Sequence, residues 1–446
     1  KKTATQTEFA HAKKPLRVTF SAGAITADAG LPLVRQTDDR AGLTRRLAGA
    51  LTDRRSGVVD HSLHDLIGCR TYAIIQGCED CNDLSRLRAD PVFKHACGRL
   101  GADRDLPCQP TLSRFENNAT LEDIVAGREI SSTIERHRRL GKKPRRITLH
   151  VDSTDDPLYG QQELAFFHGY YDGCCYLLLL IFTAEGDLLW AELLPSKVDL
   201  AGCTERVLHV VERLRAVWPQ LPTKMRADNG FACPELYDAC EERQVACLVM
   251  PARTRFLQER NESVALMEEA ERRFPQQGEP KTVSLFDKLS YQGKSWKQPG
   301  DIAKAQRTCV GPDKRFLVTN SNGDPEAVYD DFARRGQQEN WIKDFKRALK
   351  GDRLSCHRFL ANCLRLLLFA VVYQLAHELR RQAAGELRIA QLDTFRLLLL
   401  RIPALVQETA RCLWMKLSAF YPGREQWQAA ARAFGAGNEL KAPNPR

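Results

Sequence analysis

The chain reads as an α/β protein, and three observations carry that reading. Residues 145–254 contain three strand-like segments in succession and then alternate helix, strand, helix, strand. The stretches on either side have the three-to-four spacing of amphipathic helices. Between residues 255 and 325 that period gives way to short alternating segments separated by turn residues.

Residues 1–144 are predicted as a helical region, with apolar positions at Leu63, Leu66, Ile67, Ile74 and Ile75 and again at Leu121, Ile124 and Val125. It closes at a basic break ending in Pro144. Strands are then expected at 147–151, 176–182 and 188–194, the last two joined by the turn Ala184-Glu185-Gly186-Asp187. An amphipathic helix over 203–218 follows, with Val207, Leu208, Val211 and Leu214 on one face, and then a short strand at 224–227. Pro234, suited to a first helical turn, opens a second helix that leads to a strand at 246–250. That order is the order of an RNase H-like core. Residues 255–325 are predicted to be a β-rich insertion, with strands at 283–294, 302–310 and 314–319 and a turn at Gly311-Pro312-Asp313. The core resumes in helices over 326–381, the last of them long and apolar. Residues 382–446 are predicted to be helical and basic, ending in a dozen residues whose composition predicts disorder.

With 446 residues and 43% hydrophobic content the chain can bury a large core. Its 66 Lys and Arg against 56 Asp and Glu give a formal charge of +10, which fits a polyanionic partner and equally a merely soluble surface. The 15 cysteines are scattered through apolar stretches rather than set in a framework, which predicts reduced thiols and a cytoplasmic protein. The first fourteen residues have no apolar core of the secretory type. The most apolar run, 364–375, is short and carries Arg365, so no membrane span is expected.

Three carboxylates fall where chemistry would want them. Asp152 follows the first strand, Asp228 follows the fourth ahead of an Asn-Gly turn, and Glu339 lies on the helix after the insertion. In an RNase H-like sheet the first and fourth strands are neighbours, so the two aspartates would face each other within reach of shared cations. Hard Mg²⁺ seeks such oxygens, and two ions about 3.5–4 Å apart activate an attacking oxygen and stabilise a leaving one. Any one of these residues alone reads as well as a turn or capping residue, and the pattern by itself leaves both readings open.

Longer segments carry a resemblance. They are 76–83 (QGCEDCND), 90–94 (DPVFK), 109–117 (QPTLSRFEN), 152–157 (DSTDDP), 160–163 (GQQE), 167–172 (FHGYYD), 226–231 (RADNGF), 339–346 (ENWIKDFK) and 355–358 (SCHR). Together they resemble bacterial insertion-sequence transposases of the DDE class, in the group with a β-rich insertion between the second Asp and the Glu, over residues 27–381. The resemblance implies that Asp152, Asp228 and Glu339 hold two Mg²⁺ ions, with Mn²⁺ able to substitute. It implies cleavage at terminal inverted repeats of double-stranded DNA and attack of the freed 3′-hydroxyl on target DNA, by a dimer or higher assembly acting at the bacterial nucleoid, with the N-terminal helical region and the insertion recognising the ends. Phe332, Arg335, Glu339 and Lys346 hold the spacings of the group's Tyr, Arg, Glu and Lys signature, with Phe in place of Tyr. Cys78 stands where an aromatic is usual.

Arg145, Arg146, Arg253, Arg255, Arg335, Lys343 and Lys346 are expected at DNA phosphates, and Trp341 at a base or in the core. His168 and Tyr170 fit a loop near the site or simple packing, and Asp155 and Asp156 fit a solvated turn before Pro157. Cys78 and Cys81, with Cys69, Cys97 and Cys108, fit incidental thiols better than a zinc site, since no second close pair accompanies them. Two other functions stand beside the transposase: a DNA-binding descendant that no longer cuts, and an RNase H-like nuclease without strand transfer. Against the first, a protein that only binds a polyanion gains nothing from three converging negative charges.

Overall fold

The computed structural model describes residues 7–9, 14–198, 200–251, 254–274, 282–289, 301–383 and 385–433. The chain divides into two units, one of Lys1–Asp123, Ala348–Lys350 and Val371–Arg446, the other of Ile124–Arg347 and Gly351–Ala370.

The second unit is built on a nine-stranded mixed sheet. Its strands in chain order are β1 (Ile147–Pro157), β2 (Phe166–His168), β3 (Gly173–Thr183), β4 (Leu188–Pro195), β5 (Thr223–Ala227), β6 (Val245–Val249), β7 (Val283–Leu289), β8 (Asp301–Thr308) and β9 (Gly311–Thr319). Across the sheet the order is β7-β8-β9-β6-β5-β1-β3, and β3 then pairs along its length with both β2 and β4. β1, β5 and β6 run parallel, while the other pairings are antiparallel.

The composition of β3 explains its central place. From Cys175 to Thr183 every residue is buried, as expected of a strand covered on both faces. Helix α1 (Thr204–Val217) lies between β4 and β5, and α2 (Pro234–Glu242) between β5 and β6. The apolar faces of these helices, Val207, Val211 and Leu214 on α1 and Leu236 and Cys240 on α2, pack in one core with Leu149, Val151, Leu177, Leu179 and Ile181. Each such Val, Leu or Ile contributes about 1.5–3 kcal/mol when fully buried.

The insertion differs from its sequence expectation in two ways. It opens with two helices, α3 (Arg255–Glu259) and α4 (Asn261–Arg273), before any strand forms. A narrow strip of α4, the buried Met267 and Ala270 with Leu266 partly buried beside them, packs on Ala305 of β8, too short a stripe to stand out among its charges. Strands β7 to β9 then continue the core sheet, because Val318 pairs with Val249 and Thr319 with Leu248. The later part of the strand expected over 283–294 lies outside the described residues.

After the insertion come α5 (Pro325–Ala333) and α6 (Gln338–Lys343), joined by a tight 3₁₀ turn, and then the 24-residue α7 (Phe359–Gln382). By length and composition α7 alone among the described helices is apolar enough to cross a membrane, but 89% of its most apolar window is buried inside the protein, as in a core helix.

The first unit includes the helices Leu31–Ala41, Leu63–Ile75 and Gln109–Asn117, of which Leu63–Ile75 carries the apolar spacing named above; within the region expected to be helical, Thr7–Phe9 instead pairs antiparallel with Leu16–Val18. Ser62 and Asp65 make a reciprocal capping box at the start of Leu63–Ile75. The buried Asp38 carboxylate accepts hydrogen bonds from the Thr44 amide and hydroxyl and from the Tyr72 hydroxyl, tying three helices together. Residues 382–433, expected to be helical, instead include the hairpin Ala404–Glu408 and Leu413–Leu417, which pairs with Ile25–Thr26. Five-residue strands carry too few repeats of their period to be told from the helical run around them. The tail expected to be disordered, from residue 434, lies outside the described residues.

Beyond the two rungs joining β9 to β6, Asn320 continues the ladder with its side chain. Its carboxamide accepts from the Cys247 amide at 2.9 Å and donates to the Val245 carbonyl at 3.0 Å. Asn320→Ala leaves both backbone groups unpaired and is expected to lower stability by about 2 kcal/mol, read as a fall in urea midpoint. An unchanged midpoint would show that the junction does not depend on this stitch.

Candidate active site

The parallel pairing of β1 with β5 sets the geometry. Val151 is the register partner of Ala227, so Asp152 and Asp228 follow paired residues on adjacent strands. β5 ends there: Asp228 leaves the sheet and caps the 3₁₀ turn Asn229–Phe231, its carboxylate accepting from the Gly230 amide at 3.1 Å. β1 continues, and the Asp152 carboxylate accepts from the Ser153 amide at 2.9 Å.

Arg335, in the turn between α5 and α6, reaches both aspartates. Its guanidinium donates to Asp152 at 2.9 Å and lies 3.5 Å from Asp228. Glu339 sits in the first turn of α6, exposed. Helix α6 is held over β1 by the buried Gln338, which donates to the His150 carbonyl, and by Trp341, whose ring meets His150 and Phe182 with centroids 5.5 and 5.6 Å away. Burial pushes the Asp152 carboxyl up to about 7. Arg335 pulls against that shift, and the negative charges of Asp228 and Glu339 add to it. Both of the other carboxylates therefore act on Asp152.

Among the described residues, no three His, Cys, Asp or Glu side chains are already drawn together as a metal cage. Converging anions repel, and Arg335 is the cation that lies between the aspartates. The donor set nevertheless fits hard divalent cations: Asp152 within β1 and Asp228 just past the end of β5 are neighbouring carboxylates, not strand ends both as the sequence suggested, with Glu339 in electrostatic reach of Asp152.

Lys346 is fastened to the same strand, donating to the Thr154 hydroxyl at 3.0 Å and to the Asp155 carbonyl and carboxylate at 2.7 and 3.0 Å. Asp155 and Asp156 are not in a solvated turn, because β1 runs through them to Pro157. Asp156 is fully buried, and burial first, then Asp352, pushes its carboxyl up to about 9. Arg145 and Arg146 are exposed just before β1, and Lys343 is exposed on α6. Arg255 is exposed and pairs with Glu259 at 2.6 Å, while Arg253 lies outside the described residues. Trp341 is half-buried in ring contacts, so its packing role is the one the structure shows.

Phe332, which takes the signature tyrosine's place, is buried with Leu248, Ile302, Leu317 and Val328. A hydroxyl there would have to be desolvated, which accounts for phenylalanine. One feature escaped the sequence reading. Arg226, almost fully buried on β5, meets His150 at 3.0 Å and pairs with Asp331 of α5, which also takes Lys224 at 2.6 Å. The signal for this network was two cations alternating along a buried strand, which demand a partner.

A sequence model of the family described as Transposase DDE domain group 1 matches residues 9–435. The chain belongs to this family of DDE transposases. The match takes in all three carboxylates, and membership supports transposase function. No curated protein matches the chain. Among solved structures, a piggyBac transposase synaptic complex with hairpin DNA aligns at 12% identity and a TM-score of 0.43, covering 85% of this chain and 82% of that one. That likeness is too distant to carry inference about this DDE transposase.

Asp331→Ala strands Arg226 and Lys224 without their carboxylate and is expected to lower stability by about 3 kcal/mol, measured by urea unfolding. Glu339→Gln, at an exposed position, is expected to stay within about 0.5 kcal/mol of the parent. Equal midpoints for Asp331→Ala and the parent would remove the network from the account of how α5 is held.

Proposed function

We propose that this protein is a metal-dependent DNA transposase of the cut-and-paste kind, with an RNase H-like core in which Asp152, Asp228 and Glu339 hold two Mg²⁺ ions that Mn²⁺ can replace. The observation that carries the reading is the Val151–Ala227 pairing, which sets Asp152 within β1 beside Asp228 just past the end of β5, with Glu339 in electrostatic reach of Asp152. Family membership supports the same reading.

When bound, the cations supply a nucleophilic oxygen at neutral pH and neutralise charge on the leaving oxygen. The chain's own residues position and screen. Asp152 and Asp228 are fixed by the amides of Ser153 and Gly230, so their oxygens are pre-aimed. Arg335 stands where an incoming phosphate can take over its charge from the aspartates. Lys346 is held beside them by Thr154 and Asp155.

In the first step water attacks a phosphodiester at the element's end. The P–O3′ bond breaks, leaving a 3′-hydroxyl and a 5′-phosphate. In the second that hydroxyl attacks a target phosphodiester, forming one bond as another breaks, so no external energy source is needed. Two ends cut and joined in concert call for a dimer or larger assembly on double-stranded DNA. The helical region of residues 1–144 and the insertion are the parts assigned to reading the terminal inverted repeats.

Incubation with a labelled duplex from the flanks of its own coding sequence is expected to give nicking at a defined end in Mg²⁺ or Mn²⁺ and none in EDTA. Asp152→Asn, Asp228→Asn and Glu339→Gln are each expected to cost more than the ~10–100-fold that loss of an outer-sphere partner costs a metal site. Specific binding without cleavage in any divalent metal would make the protein a binding-only descendant.

Exposed Lys343 is assigned to a phosphate. Lys343→Gln is expected to weaken binding about equally across DNA sequences and to reduce the slope of log K against log salt by about 1, measured by anisotropy titration at several salt concentrations. An unchanged slope would take Lys343 off the DNA.

A further inference from the structure

Lys346 is expected from the sequence at a DNA phosphate, but its ammonium is already committed inside the protein. An ammonium has three hydrogens to donate and accepts none. Those of Lys346 meet the Thr154 hydroxyl at 3.0 Å, the Asp155 carbonyl at 2.7 Å and the Asp155 carboxylate at 3.0 Å, one acceptor for each. The Asp352 carboxylate stands 3.9 Å away. Only 18% of the side chain reaches water. A phosphate would have to draw a hydrogen off one of these oxygens and would meet two carboxylates of its own sign in doing so.

The seat itself is closed. The Thr154 hydroxyl accepts from Lys346 and donates to the Asp155 carboxylate at 3.4 Å, so the three residues bond one another in a ring. It is built on the part of β1 that runs on to Pro157 after β5 has stopped at Ala227.

The position of Lys346 gives this seat a purpose. Helix α6, with Glu339 in its first turn, runs on into a π-helical turn, Asp344–Ala348, that carries Lys346. At its start the helix is tied to β1 through His150, whose carbonyl accepts from Gln338 and whose ring meets Trp341. At its far end it is tied through Lys346 to Thr154 and Asp155. Along β1, Asp152 lies between the two ties, about 7 Å from each at the rise of a strand. Along the helix, Glu339 lies between them as well. A helix held at one point can swing, whereas one held at two keeps its side chains within the narrow tolerance that a metal site demands.

We propose that Lys346 is a positioning residue: it rivets the far end of the Glu339 helix to Thr154 and Asp155 of β1, fixing Glu339 against Asp152 instead of binding DNA. The assignment rests on the transposase reading above and deepens it.

The full chain is tested in three ways. The first is the salt dependence of binding to a duplex from the flanks of its own coding sequence, in EDTA. Lys346→Gln is expected to keep the slope of log K against log salt that a lost phosphate contact would reduce by about 1. The second is Mn²⁺ binding by the DNA-free protein, read from the paramagnetic resonance of the free ion. Lys346→Gln and Thr154→Val are each expected to weaken it about 10-fold, and Thr154→Ser, which keeps the hydroxyl, is expected to hold the parent value. The third is amide hydrogen exchange, which is expected to speed up over Gln338–Lys343 in the same two variants and not in Thr154→Ser. Thr154→Val leaves the ammonium in place, so a phosphate contact predicts no effect of it on either readout.

A slope lowered by about 1 in Lys346→Gln would overturn the rivet and put the ammonium on DNA. Parental Mn²⁺ affinity and exchange in Thr154→Val would overturn it too, even if Lys346→Gln fails to fold. A parent protein that nicks no DNA and binds no Mn²⁺ would sink the catalytic reading, leaving the rivet to be decided by the slope and the amide exchange. One that nicks normally while Thr154→Val matches it in Mn²⁺ affinity and exchange would keep the catalytic reading and sink the rivet.

Discussion

Like charges have to be brought together by a scaffold that does not itself depend on them. Here the scaffold is the parallel pairing of β1 with β5, in which Val151 stands opposite Ala227 between buried apolar faces. Because the strands are held by backbone ladders and a shared core, the two aspartates next to this residue pair stay in place despite their repulsion, and the protein meets the cost locally. It does so with Arg335 between the carboxylates, and with amides from Ser153 and Gly230 on their oxygens. Burial of Asp152 makes its charge responsive to whatever cation or phosphate arrives.

Much of this was legible in the sequence because the relevant signals were local. The β1, β3 and β4 strands carry enough apolar residues in a row to be seen, and Pro234 and the Asn229-Gly230 turn mark where α2 begins and β5 ends. Asp152, Asp228 and Glu339 were singled out by their position relative to those elements together with the resemblance of the segments around them. What stayed hidden depends on partners distant in sequence. Nothing near Arg226 announces that Asp331, more than a hundred residues on, will neutralise it. The hairpin Ala404–Glu408 and Leu413–Leu417 is defined by its pairing with Ile25–Thr26 as much as by its own alternation. Asp156 resembled a turn residue because a carboxylate in the interior runs against expectation, and only the length of β1 reveals that it is buried.

The insertion shows the same limit from the other side. Its strands were visible as strands, but their address was not. Two rungs and the Asn320 side chain join β9 to β6, and that small junction turns an apparent appendage into an extension of the sheet bearing the aspartates.

Helix α5 lies where these parts meet. Val328 and Phe332 are packed among Leu248, Ile302 and Leu317, and the Tyr329 ring meets that of Phe286 on β7 at a tilt, centroids 5.4 Å apart. Its Asp331 is clamped to β5 through Lys224 and Arg226, and its last residue leads through Arg335 to Glu339. A nine-residue helix with three such attachments has little surface left uncommitted to its neighbours. The insertion strands and the turn that carries Arg335 are thus braced against one and the same helix, so the fold gives its periphery and its acids a common support.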